Sequence, residues 1–118
     1  MNHQKLRCYQ MALQLLKEVA SVMTSWPSAR AVLKDQLERA STSVILNLAE
    51  GAGKLTPKDR RKFFSIARGS IQEVAACLDI AYALGSIESV EYARHQATCL
   101  SIVKMVSRLI EVQLCSQS

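Results

Sequence analysis

From Leu6 the apolar positions recur at Leu6, Tyr9, Leu13, Leu16, Ala20 and Met23. The steps alternate three and four, which is the seam of a bundled helix. Trp26-Pro27 interrupts the run; proline does not continue a first helix but suits the opening turn of a second. That second helix is expected over residues 28–52, with Leu33, Leu37, Ala40, Val44 and Asn47 or Leu48 on its seam. Gly51 and Gly53 weaken it there and allow an ending with positive φ. A third helix opens at Thr56-Pro57-Lys58-Asp59. Thr56 can cap, Pro57 fits the first position, and the Asp59 carboxylate meets free backbone amides. Its seam is Phe63, Ala67, Ser70, Val74, Cys77, Ala81 and Leu84, closed by Gly85. Ser86 or Ser89 can cap a fourth helix carrying Val90, Ala93, Ala97, Leu100, Val106, Leu109 and Ile110, with Glu88 and Glu91 in its first turn and fraying near Cys115. Four long helices with short connections predict an all-α fold: an up-down-up-down, left-handed antiparallel four-helix bundle, one domain over residues 1–118.

The third helix has a second apolar line, Phe64, Ile71, Ala75, Leu78 and Tyr82. Such a stripe either widens the core contact or becomes a subunit interface. With Ile45, Val103 and Met105 also left over, a homo-oligomer is expected.

Composition supports helices. Hydrophobic residues make up 49%, aromatics 5%, and Gly and Pro number only four and two, whereas sandwiches and barrels spend those residues on turns and sheet faces. Cys8, Cys77, Cys99 and Cys115 form no C-x-x-C pair, and only His3 and His95 could assist as ligands; no zinc site, metal or cofactor is expected. MNHQKLRCYQ has no long apolar run, and no stretch approaches the roughly 20 apolar residues of a membrane span. The expectation is a cytoplasmic protein with reduced thiols and no membrane partner.

NLAEGAGKLT, residues 47–56, looks like a phosphate-gripping loop. The P-loop pattern requires glycine where Leu48 stands and a hydroxyl where Leu55 stands, after a strand that the preceding helix excludes. Catalysis finds no constellation either. A di-iron bundle needs Glu-x-x-His pairs on facing helices, but Glu91 and His95 are four apart and His3 has no matching carboxylate.

The net charge of +5 is unevenly placed. Antiparallel folding puts both termini and the turn near residue 55 at one end. Lys5, Arg7, Lys54, Lys58, Arg60, Arg61, Lys62, Arg68, Lys104 and Arg108 collect there against Glu50, Asp59 and Glu111: ten cations, three acids, net +7. The opposite half has five cations and seven acids, net −2. A positive pole attracts phosphate backbones. The candidate contacts are Lys54, Lys58, Arg60, Arg61, Lys62 and Arg68, with Arg7 and Arg108. No aromatic is interleaved with these cations, so backbone and shape recognition of RNA or DNA is expected rather than base stacking.

The same folding-back puts Asn47 level with Leu6 and Phe63, and Glu50 near His3, Asp59 and Arg60. Asn47 is expected to be a buried polar residue tied to a neighbouring helix or backbone. Glu50 is expected to neutralise cations or accept from the first amides of the third helix. Arg39 falls level with Glu73 and can pair with it. Gly69 lies opposite Ala40, where small residues let helices approach. Structural roles are expected for Asn47, Glu50, Arg39, Gly69, Ser70 and Glu73.

QLERA at 36–40, SVILNLAEG at 43–51, FSIARGSIQE at 64–73 and the opening K-L-x-x-Y-Q-x-A together resemble the four-helix-bundle proteins named for open reading frames in 23S ribosomal RNA intervening sequences. The resemblance spans nearly the whole chain. One departure is Val44-Ile45-Leu46, where the family often has an isoleucine followed by a proline or small residue. The resemblance implies an up-down bundle commonly assembled as a ring-like homopentamer. A distant relative is the accessory variability determinant of diversity-generating retroelements, which looks like a basic pentamer that binds nucleic acid and a reverse transcriptase. The expected function is therefore non-enzymatic nucleic-acid binding by a basic oligomer, with an adaptor for a reverse transcriptase or other protein as the alternative.

Overall fold

The computed structural model describes residues 2–116. Four helices follow one another: α1 (His3–Met23), α2 (Ala31–Ala52), α3 (Pro57–Ala83) and α4 (Ser89–Ser116), with a short 3₁₀ turn, Ser28–Arg30, leading into α2. They run up-down-up-down and enclose one core in a body of 49 × 22 × 19 Å. α3 packs along both α2 and α4, while α1 packs more sparsely against the same two helices and lies diagonally across from α3.

Local chemistry sets the ends. Asn2 Oδ1 accepts from the Lys5 amide at 2.9 Å and starts α1. Thr56 Oγ1 accepts from the Asp59 amide at 3.2 Å, with Pro57 at the first position of α3. Gly85 stops α3 with a φ of 73°. The Ser86 amide then bonds Ala81 O at 2.9 Å and the Gly85 amide bonds Tyr82 O at 3.0 Å, a Schellman ending.

The two glycines of the look-alike loop act differently from the expectation. Gly53 ends α2 with a φ of −88°, in ordinary right-handed backbone, so no positive φ is used. Gly51 is buried within the last turn of α2. A Cβ there would stand 2.6 Å and 2.7 Å from Cε1 and Cδ1 of Phe64. The missing side chain is therefore the space into which the fully buried Phe64 ring fits.

Three seams differ in detail from the apolar count. In α1 the inward line is Cys8, Ala12, Leu15, Val19 and Met23. Leu6, Leu13 and Ala20 face outward, with Tyr9 and Leu16 on the shoulder. Lys5 Nζ lies 5.8 Å from the centre of the Phe64 ring, so the first turns of α1 meet a large side chain. The narrow Cys8 and Ala12 suit that level better than a leucine does.

In α3 the core line is Phe64, Ala67, Ile71, Val74, Cys77, Leu78 and Ala81. It interleaves both apolar stripes, so the second stripe widens the core. Ile45 is also buried, and Val103 and Met105 pack against the core. Most of the apolar surplus expected at a subunit interface is thus consumed inside one chain. In α4 the inward line is His95, Cys99, Ile102, Val106, Leu109 and Gln113, while Val90, Ala93, Ala97 and Leu100 are exposed. No helix of the described residues is long and apolar enough to cross a membrane.

Candidate nucleic-acid interface

The α2–α3 corner is closed by Arg60. Its Nε donates to Gln113 Oε1 at 2.7 Å, and its Nη1 donates to the carbonyls of Lys54 and Leu55, both at 3.0 Å. A guanidinium suits this job because its fork presents several donors in one plane. Arg60 therefore ties the turn to the last turns of α4. Arg68 makes a similar tie one level further along α3, donating from Nη1 to Ser107 Oγ at 3.2 Å.

Lys54 is partly engaged as well. Its ammonium pairs with Glu50 at 3.3 Å within one turn and stands 5.0 Å from the centre of the Phe63 ring. Lys62 approaches the same ring at 5.6 Å. An aromatic thus does sit among the cations, contrary to the sequence expectation; its half-buried ring carries two ammonium groups instead of offering a free face. Glu50 is exposed and neutralises its neighbour.

The remaining basic residues form two sets. Lys58, Arg61 and Lys62 border a shallow depression of about 370 Å³ on the first turns of α3, with Asp59 and Ser65. Arg7 and Arg108 lie elsewhere, in a groove of about 420 Å³ between α1 and α4, together with Lys104. Lys5, in the first turn of α1, lies near the clamp: burial lowers its ammonium pKa, and the nearby Arg60 charge lowers it further.

The polar residues between α2 and α3 form a short chain. Asn47 Nδ2 donates to Ser43 O at 2.8 Å and to Ser43 Oγ at 3.1 Å. Ser43 Oγ and Ser70 Oγ are hydrogen-bonded at 2.8 Å across the helix pair. Asn47 is half-buried rather than buried. The Ser43–Ser70 pairing sets α3 about one helical turn away from a symmetric fold-back about residue 55. That shift brings residue 73 rather than Gly69 level with Ala40; Arg39 and Glu73 stay within one residue of level, but both are exposed. Arg39 pairs within its own helix with Asp35 at 3.3 Å, both exposed, and not with Glu73. Gly69 faces open space, with nothing within 4 Å of where its Cβ would be, so it does not let helices close on Ala40. Glu73 is exposed; after burial itself, its charge is the second cause of the raised Cys77 thiol pKa.

Several polar fixtures had no apolar signal to reveal them. Gln113, only 3% exposed, is the acceptor for Arg60. At the other end, Tyr92 donates its hydroxyl to Asp79, Gln96 Nε2 donates to Ala75 O at 2.8 Å and to Asp79 Oδ1 at 2.9 Å, and Tyr82 stacks on Tyr92 with ring centres 4.3 Å apart. The hydrogen bond to Asp79 raises the Tyr92 pKa first, with burial and the Asp79 charge adding to it. His95 is fully buried and neither ring nitrogen finds a hydrogen-bond partner. Burial lowers its pKa most, Arg94 adds to this, and Glu18 and Glu91 oppose it. Among the described residues, no group of three or more His, Cys, Asp or Glu side chains could hold a metal ion.

A crystal structure of a protein with unknown function from the S23 ribosomal protein family, from Bacteroides thetaiotaomicron VPI-5482, superposes with a TM-score of 0.84. The match covers 92% of this chain and 98% of that one at 16% identity, a likeness of fold alone. No match is found among curated proteins. The family model described as 23S rRNA-intervening sequence protein matches residues 4–108. The chain belongs to the family of 23S rRNA-intervening sequence proteins.

Proposed function

We propose that this protein binds the phosphate backbone of RNA or DNA through the first turns of α3, without catalysis, as a basic homo-oligomer. The observation that carries the reading is the cluster of Lys58, Arg61 and Lys62 around one shallow depression with Asp59 as the sole acid in its lining. Lys58 and Lys62 are exposed there, and cations at a helix N-terminus oppose the local dipole. Such a cluster gains from an anion that neutralises it. Lys54, Arg60 and Arg68 add to the positive field of the same end while their side chains hold the corner together. The polarity of +7 against −2 favours a polyanion over a small anion. A ring of five copies, the assembly implied by the family resemblance, multiplies the +5 of one chain.

Fluorescence anisotropy with a 20-nucleotide single-stranded RNA and a DNA duplex, from 50 to 200 mM salt, tests this. Affinity is expected to fall steeply with salt, and the K58E/R61E/K62E variant to flatten the log–log slope on single strands by about 2. Equal binding by parent and variant at low salt removes the assignment. Mass in native buffer measures the oligomer.

A further inference from the structure

The α1–α4 groove has a composition that phosphate binding does not call for. Its floor is made of Met11 and Met105, both half-buried, and its rim carries Arg7 from one helix and Lys104 and Arg108 from the other. These three cations are exposed, and none forms an ion pair or hydrogen bond among the described residues. That sets them apart from Arg60 and Arg68, whose guanidinium groups are committed inside the fold. No carboxylate lines the groove. A second depression shares Gln4 and Arg108 with it and continues to Cys115, with Glu111 as the acid at that far end. From Ser101 to Cys115 the trough follows about 21 Å of α4, at 1.5 Å per residue.

We propose that this trough docks an acidic amphipathic helix of a partner protein. Two antiparallel helices offer a straight channel parallel to their axes, into which a third helix packs ridge into groove. Methionine side chains adapt to varied apolar partners, which is why they serve at helix-receiving surfaces. Cations on both walls match carboxylates on both flanks of the incoming helix and set its partner choice. A phosphate backbone fits less well, because it leaves the apolar thioether floor of Met11 and Met105 uncovered. The inference goes beyond the proposed backbone binding and uses other residues, so the two stand or fall separately.

The probe is a synthetic 18-residue peptide with leucines at i, i+3, i+4 and i+7 and glutamates on the flanks. It is titrated into full-length protein carrying ¹³C-methyl methionine. The Met11 and Met105 methyl signals should shift saturably, while that of Met23, buried at the other end of α1, stays in place. R7E/K104E/R108E should weaken the peptide at least about ten-fold, equivalent to about 1.4 kcal/mol, and K58E/K62E should leave it unchanged. Circular dichroism checks that the variants fold. The proposal is overturned if the Met11 and Met105 signals do not move, or if a peptide with scrambled leucines moves them equally. It is overturned likewise if an oligouridine probe takes the groove in the peptide's place, or if raising the protein concentration alone shifts these methyls and blocks the peptide, which assigns the groove to a second copy.

Discussion

Arg60 Nε and Gln113 Oε1 meet at 2.7 Å, joining the start of α3 to the end of α4 across 53 residues of chain. Gln113 is 3% exposed, so its amide oxygen has little access to water. Truncating Arg60 removes three donated bonds, orphans a buried acceptor, and frees the Lys54 and Leu55 carbonyls of the turn. R60A is expected to cost about 2 kcal/mol in urea unfolding. R60K, which keeps the charge and loses the fork, should recover less than half of that. A parent-like midpoint for R60A would mean the clamp contributes nothing to stability.

Three glycines should respond to alanine with two signs. G51A forces a Cβ to 2.6 Å from the Phe64 ring, which is fully buried and has nowhere to retreat; a loss of about 2 kcal/mol is expected from overpacking. G85A places a side chain at a φ of 73° and should lose about 1 kcal/mol. G69A lies in the middle of α3 with open space around it and should gain about 0.5–1 kcal/mol from helix propensity. Thermal melts of the three variants check the order; a stabilised G51A would contradict the close approach.

The same glycines show what was legible. The Thr56-Pro57-Asp59 start and the Gly85 stop are written in local chemistry and stand in the structure as read. Gly51 is different, because its reason is a ring 13 residues away in the next helix. The seams follow a similar division. In α2 the line Leu33, Leu37, Ala40, Val44 and Leu48 is the core line, and Ile45 beside it is buried as well. In α1 two adjacent lines compete, and the narrow one wins by fitting its neighbours. In α4 the inward line begins with a histidine and ends with a glutamine, so counting apolar residues alone skips both ends. The basic residues were legible as charge. Their division into clamp, α3 turn and α1–α4 groove depends on rotamers and on which helices are neighbours.

His95 makes stability depend on pH. The imidazole is fully buried with no hydrogen-bond partner, and its folded pKa lies below the usual 6.5. The unfolded chain therefore takes up a proton near pH 6.5 that the folded chain refuses. Stability should be at its plateau above that pH and fall as pH drops below it, by up to about 1.4 kcal/mol per pH unit until the folded pKa is reached. Arg94 strengthens the effect, and Glu18 and Glu91 oppose it. H95L keeps an apolar side chain at the site and should flatten the profile between pH 6.5 and 5. An unchanged slope in H95L would assign the acid sensitivity to other groups.

The thiols should separate by accessibility. Cys8, Cys77 and Cys99 are buried in the core, whereas Cys115 is exposed near the end of α4. Burial pushes the Cys8 thiol up to about 11 and the Cys99 thiol up to about 12, the latter with a further push from Asp79; Cys77 is raised as well. The thiolate is the reactive form, and at pH 8 a thiol of pKa 11 holds only about one part in a thousand of it. Native protein treated with Ellman's reagent at pH 8 should therefore release one equivalent quickly and the remaining three only as fast as the bundle opens. C115S should abolish the fast phase and leave the slow one intact. In R60A, which loosens the α2–α3 corner and the end of α4, the slow phase should quicken by up to about 30-fold, the factor that corresponds to a loss of about 2 kcal/mol. Two or more fast equivalents in the parent would show that the core is open on the time scale of minutes.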